Sequence, residues 1–136
     1  MAASVIVDAS FLVTFLSHRE FNHRWAADQA RRSPPPWQTC EAALSEVFSL
    51  LGPPNATGLG ELLRRGAVVP AFRLDESTEA VLKLMQKYAD VPMSLADACL
   101  VRMSEMLPDP IVLTTDANFR IYRRHSRQVV PCALPD

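Results

Sequence analysis

The chain has 136 residues, 49% of them hydrophobic, and a formal net charge of −1. This length predicts one domain with a hydrophobic core, over residues 1–136, and excludes a second domain of ordinary size. The net charge excludes neither nucleic acid nor protein as a partner, because local charged patches rather than totals steer charged ligands.

The cysteines and the amino terminus bear on the cellular compartment. Cys40, Cys99 and Cys132 lie far apart and form no CxxC pair, which predicts a reduced, cytoplasmic protein without a disulfide framework. The amino terminus MAASVIVDASFLVTFL is apolar, but Asp8 interrupts it and no basic residue precedes it. We therefore expect neither a signal peptide nor a membrane helix.

The first third of the chain predicts a strand followed by two helices. The run from Ser4 to Val7 is typical of an interior strand of a parallel sheet, and helical spacing begins directly after it. Phe21 and Trp25 are expected in a second helix that ends near Arg32. The prolines at positions 34–36 then form a stiff connector, because proline fits neither a helix interior nor a central strand.

The remaining elements follow from the same hydrophobic spacing. A short strand at Trp37 is followed by a helix with Thr39 as its N-cap, which Gly52 and the next two prolines stop. Further predicted elements are a short helix over 59–63, a strand at 68–69, a helix over 81–88, a helix from 95, a strand at 111–113, a helical turn over 119–122 and an edge strand at 129–130. This alternation predicts a three-layer α/β/α domain with a mainly parallel sheet.

Three aspartates fall at the ends of predicted elements. Asp8 follows the first strand, Asp97 lies in the first turn of a helix, and Asp116 follows the strand at 111–113. In an open α/β sheet the ligand crevice lies outside the carboxyl ends of the strands, so acids from separate elements can meet there. Crowded carboxylates repel one another, and a divalent cation is the usual means of relieving that repulsion.

Each of these acids also has a purely structural explanation. Asp8 can cap the helix that follows it, Asp97 completes a capping box with Ser94, and Asp116 can be a turn residue. On the middle helix, Glu46 and Glu41 border the apolar arc on opposite sides, and helical periodicity does not choose between them. As a set, three aspartates and one helical glutamate suit a hard cation with oxygen ligands.

Four segments carry a resemblance to a known family: VIVDASFLV, TCEAALSEVFSLL, MSLADACLV and VLTTDANFRIYRR. In order and spacing they resemble the PIN-domain family of metal-dependent ribonucleases, and within it the short VapC-like toxins of toxin–antitoxin pairs. The resemblance implies a PIN-like fold and hydrolysis of RNA phosphodiester bonds with Mg²⁺, or Mn²⁺, leaving 5′-phosphate and 3′-hydroxyl ends. It places the catalytic, metal-binding acids on Asp8, Glu46, Asp97 and Asp116, and so selects Glu46 over Glu41.

The resemblance also implies roles for neighbouring polar residues. Ser10 and Thr115 match small hydroxyl positions that help to orient the acids. Asn118 stands where many relatives carry another aspartate, which implies a weaker second metal site. Asp8 and Asp97 are expected to be the closest metal ligands, with the other two acids binding a second ion or an outer-shell water.

An arginine cluster follows the last acid and predicts phosphate binding. It comprises Arg120, Arg123, Arg124 and Arg127, whose forked donors suit RNA phosphate groups. The alternatives are a solvated basic face and a docking site for an acidic segment of a partner.

The family further implies a homodimer and a small antitoxin protein that covers the active-site groove. Helices with Phe21, Trp25 and residues 59–63 offer a reasonable dimer interface. Two alternatives stay open, a catalytically silent PIN-like module that binds RNA or protein, and a housekeeping RNA-processing nuclease without an antitoxin. A haloacid dehalogenase-like phosphatase is disfavoured because Ser10 occupies the position of its second aspartate. A receiver domain is disfavoured because it needs an acidic pair near Asp8, which this sequence lacks.

Overall fold

The computed structural model describes residues 3–136, and a parallel sheet lies at its centre. The strands of this sheet are β1 (Ser4–Val7), β2 (Trp37–Thr39), β3 (Val68–Pro70), β4 (Pro110–Leu113) and β7 (Cys132–Ala133), with β5 (Arg123–Arg124) and β6 (Gln128–Val129) forming a separate antiparallel hairpin. Their order in the sheet is β3-β2-β1-β4-β7, and every neighbouring pair is parallel. The predicted α/β fold with a mainly parallel sheet is therefore confirmed.

Helices cover both faces of the sheet. They are α1 (Ala9–Leu16), α2 (His23–Arg32), α3 (Glu41–Leu50), α4 (Pro53–Arg64), α5 (Thr78–Lys87) and α6 (Leu95–Met106). Because successive strand residues face opposite sides, Ile6 packs in one core with α5 and α6, whereas Val5 and Val7 pack in another with α1 and α4. Within residues 3–136, no helix has the combination of length and apolar character that crossing a bilayer requires.

Three local predictions for the first half of the chain are wrong. Thr39 is the last residue of β2, where its hydroxyl donates to the Val7 carbonyl at 2.8 Å, and Cys40 is the N-cap of α3. Phe21 precedes α2 and is 97% exposed. The short helix predicted over 59–63 begins earlier, at Pro53, because proline is well tolerated in the first turn of a helix.

The predicted edge strand at 129–130 is displaced by a few residues. Val129 belongs to the small hairpin, and the edge strand of the main sheet is β7. The backbone N–H of Val112 donates to the Pro131 carbonyl, and that of Thr114 donates to the Ala133 carbonyl. Two adjacent valines indicate strand conformation, but they do not indicate which strand they pair with.

Candidate active site

Two of the predicted acids lie at the carboxyl ends of neighbouring strands. β1 and β4 are paired so that Val7 lies opposite Leu113, which brings the residues that follow them to one edge of the sheet. Asp8 is the N-cap of α1, and its carboxylate accepts from the Phe11 backbone N–H at 2.9 Å. Asp116 caps the 3-10 turn Ala117–Arg120 and accepts from the Asn118 N–H at 2.9 Å.

Asp97 reaches the same region from helix α6. It forms the predicted capping box, in which its N–H donates to Ser94 Oγ at 3.0 Å and its Oδ2 accepts from the Ser94 N–H at 3.2 Å. The Tyr122 hydroxyl lies 3.2 Å from Asp97 Oδ2 and 3.0 Å from the Pro92 carbonyl. The single hydroxyl hydrogen can be donated to only one of these two oxygens at a time. Tyr122 nevertheless lies in contact with both Asp97 and the loop before α6.

Electrostatic effects on the pKa values link the acids through Asp97. Burial raises the pKa of Glu46, and the charge of Asp97 raises it further. Burial is also the main reason that the pKa of Asp97 is raised, with a contribution from the charge of Asp116. The pKa of Asp8 rises to about 6, chiefly through burial and in small part through the charge of Asp97. Asp97 is therefore linked electrostatically to each of the other three acids, and we call the four together the acid cluster.

Two hydroxyl groups hold the carboxylate of Asp8, which is only 4% exposed. Ser10 Oγ donates to Oδ1 at 2.7 Å, and Thr114 Oγ1 donates to Oδ2. Each hydroxyl also accepts a backbone N–H from the segment after β4, that of Thr115 at 2.9 Å for Ser10 and that of Asp116 at 2.9 Å for Thr114. The two side chains thereby connect the ends of β1 and β4.

The orienting hydroxyl that the resemblance assigned to Thr115 belongs to its neighbour, Thr114. Thr115 contributes its backbone N–H, whereas the fully buried Thr114 contacts the acid. Adjacent threonines give no sequence signal for this choice, which depends on how β4 ends against β1. Tyr122 was also missed, because nothing in the sequence separates it from an ordinary core aromatic residue.

The arginines after β4 differ in what their side chains contact. Arg123 Nη1 donates to three backbone carbonyls of the preceding turn, and Arg124 Nη2 donates to the Ser104 carbonyl at 2.5 Å. Both guanidinium groups thus have structural partners. Arg120 and Arg127 are exposed, and they are the members best placed to meet a phosphate.

The oxygen donors of the acid cluster fit a hard, hydrated cation. Asp97 uses Oδ2 and Asp116 uses Oδ1 in the hydrogen bonds described above, and no side-chain hydrogen bond among the described residues reaches Glu46. Over residues 3–136, no three Asp, Glu, His or Cys side chains converge closely enough to enclose an ion. Mg²⁺ typically keeps several waters and binds through one or two carboxylates plus substrate phosphates, which suits this open arrangement.

A protein-family model matches most of the chain. The family model described as PIN domain matches residues 5–124, a segment that contains the whole acid cluster. No curated protein matches the chain.

Proposed function

This chain belongs to the PIN domain family, whose members are generally nucleases, and on that premise we propose that it is a metal-dependent endoribonuclease that uses Mg²⁺, with Mn²⁺ as a possible substitute. The observation that carries the proposal is that Asp8 and Asp116 follow two paired parallel strands, at the edge of the sheet where the charge of Asp97 also acts on Asp8 and Glu46. Carboxylates brought together from two strand ends and two helices repel one another, and a bound cation would relieve that repulsion.

The acids have distinct roles in the proposed mechanism. A bound divalent cation lowers the pKa of its water and neutralises charge on the phosphodiester. Asp8 and Asp97 would hold the cation most closely, and Asp116 and Glu46 would bind a second ion or an outer-shell water. Glu46, which accepts no side-chain hydrogen bond among the described residues, would also accept the proton that the attacking water releases.

Polar residues next to Asp8 and Asp97 would keep these two carboxylates oriented during the reaction. Ser10 and Thr114 fix both carboxylate oxygens of Asp8. Tyr122 and Ser94 fix one oxygen of Asp97 and leave the other free. Such hydrogen bonds to ligands preserve their geometry, and their loss typically lowers metal affinity or activity by about 10- to 100-fold.

We propose further that the protein is the toxin of a toxin–antitoxin pair, acting as a homodimer that a small antitoxin inhibits. The support is the resemblance of its four ordered motifs to VapC-like toxins. Growth after induced expression, with and without Asp8→Asn, tests this part. Normal growth with the parent protein would favour a housekeeping nuclease.

The catalytic proposal is tested by sequencing RNA 5′ ends after incubating single-stranded RNA with the purified protein. We expect new 5′-phosphate ends that require Mg²⁺ and disappear with Asp8→Asn or with EDTA. Asp90→Asn, a change of an exposed acid outside the cluster, is the matched control and should cut like the parent. Full cleavage by Asp8→Asn would refute the assignment, and calorimetry showing no Mn²⁺ binding that depends on Asp97 would favour a silent binding module.

A further inference from the structure

A groove leads from the acid cluster to an exposed aromatic side chain. A cavity of about 290 Å³ is lined by residues that include Ser10, Val13, Phe21, Asn22, Leu50 and Thr115. Ser10 is the residue that donates to Asp8, so one residue of this lining is in direct contact with the acid cluster. A second cavity of about 430 Å³ shares the Val13 and Leu50 sides of the groove and continues it along α1.

Phe21 is held in water by an ordered turn. Its side chain is 97% exposed, the largest value among the exposed large hydrophobic residues. The turn is closed by backbone hydrogen bonds from Glu20 to Ser17 at 3.1 Å and from His23 to Glu20 at 3.0 Å. His23 Nδ1 also lies 2.9 Å from the Thr14 carbonyl on α1. The ring therefore adds nothing to the core, yet its backbone has a defined position beside the groove.

Asn22 supplies a polar group next to this ring. It is the N-cap of α2, a position where asparagine usually accepts a backbone hydrogen bond, but its side chain makes no capping bond here. The amide carries one acceptor and two donor hydrogens. It is therefore free to form hydrogen bonds with the edge of a planar heterocycle that stacks on Phe21.

We infer that this groove is a subsite for a single unpaired nucleobase of the RNA, stacked on Phe21 and bonded at its edge to Asn22. The inference rests on the proposed function, because it places that base near the phosphodiester that the acid cluster would hold. Single-stranded RNA is generally recognised by stacking of splayed bases on aromatic rings and by hydrogen bonds to their edges.

The lining favours a base over an aliphatic side chain of a partner protein. Ser10, Thr14, Asn22 and Thr115 bring hydroxyl and amide groups to the cavity around Phe21. The Ser10 hydroxyl already has partners, so the Asn22 amide is the group that an aliphatic side chain would leave unpaired and that a base edge can satisfy. A cavity of about 290 Å³ is at the lower end for small-ligand sites, which suits one base rather than a larger ligand.

The test measures binding of fluorescent single-stranded RNA in EDTA, where no cleavage occurs. We expect Phe21→Ala to raise the dissociation constant by about 5- to 150-fold, the range that loss of one base–aromatic stack gives, and Phe21→Trp to keep it within about threefold of the parent value. Leu82→Ala, a change of an exposed apolar residue on α5, is the matched control. Thermal denaturation should be the same for the parent and Phe21→Ala, because the ring is exposed.

A second set of RNAs, each with one abasic nucleotide at a different position, identifies the base that stacks. The parent should bind more weakly to the RNA that is abasic at one particular position and equally well to the others. Phe21→Ala should bind that abasic RNA no more weakly than it binds the intact RNA. Asn22→Ala should change which base is preferred there. These three results together assign the subsite.

The inference is overturned if Phe21→Ala binds RNA like the parent. It is equally overturned if the loss of affinity caused by Phe21→Ala and the loss caused by each abasic nucleotide simply add together. It is also overturned if Phe21→Ala changes the sedimentation coefficient, because the ring then contacts a second copy of the chain. Cleavage in Mg²⁺ is scored separately. If the parent binds RNA through Phe21 but never cuts it, the nuclease proposal alone is refuted. If the parent cuts RNA and Phe21→Ala binds and cuts it equally well, the subsite alone is refuted.

Discussion

Burial of Asp8 predicts that the metal-free protein gains stability when this acid is replaced by asparagine. The folded protein raises the pKa of Asp8 from 3.8 to about 6, so the folded state binds its proton more tightly than the unfolded state does. Stability should therefore fall as the pH rises from about 4 to about 6 and then level off. The difference in pKa, at about 1.36 kcal/mol per pH unit, corresponds to a loss of about 3 kcal/mol.

Asp8→Asn removes this titration but also changes one hydrogen bond. The side-chain oxygen can still accept from Ser10 and Phe11, whereas the new amide cannot accept from Thr114. Losing that acceptor costs about 1 kcal/mol. The variant should therefore be more stable than the parent by about 2 kcal/mol near neutral pH, and slightly less stable at about pH 4, where the parent carboxyl is protonated.

Urea denaturation in EDTA at several pH values measures this difference, with Asp90→Asn as a surface control that should follow the parent. Adding Mg²⁺ should then stabilise the parent more than Asp8→Asn, since only a ligand that binds the folded state raises its stability. A difference in unfolding free energy that does not change between about pH 4 and about pH 7 would refute the argument, because Asp8 would then not be a buried anion.

Three further predictions concern the residues around this carboxylate. Thr114→Val should lower Mn²⁺ affinity in calorimetry by about 10- to 100-fold through loss of an orienting hydroxyl, and Thr115→Val should not; equal losses would contradict the hydrogen bonds described here. Glu46→Gln should weaken Mn²⁺ binding more than Glu41→Gln, and the reverse order would exclude Glu46 from the site. Arg120→Ala should reduce the salt dependence of RNA binding by about one phosphate contact, and an unchanged slope would show that this side chain meets no phosphate.

The positions of the aspartates were predictable because each lies at the end of an element that a local sequence pattern marks. Asp8 and Asp116 each follow a buried strand, and the carboxyl ends of parallel strands share one edge of a sheet. Asp97 was predictable from its capping box with Ser94. In each case a local pattern fixes the residue at an element end, and the topology then brings the ends together.

Glu46, Thr114 and Phe21 show where sequence reasoning stopped. Periodicity placed Glu46 only relative to its own helix, and the electrostatic effect of Asp97 on it depends on how α3 packs on α6. The contact of Thr114 with Asp8 joins residues far apart in the chain. Phe21 has helical spacing to Trp25 but lies in the turn before the helix, because spacing does not indicate where a helix begins.

The structural and functional explanations of the acids are compatible, and the hydrogen bonds explain why. Capping uses Oδ2 of Asp97 and Oδ1 of Asp116, so each carboxylate is oriented by its cap and keeps one oxygen for a cation. Asp8 differs because both of its oxygens are occupied and it is buried. Replacing it by asparagine should stabilise the metal-free fold, which is the behaviour expected of a buried carboxylate whose charge a cation balances in the functional state.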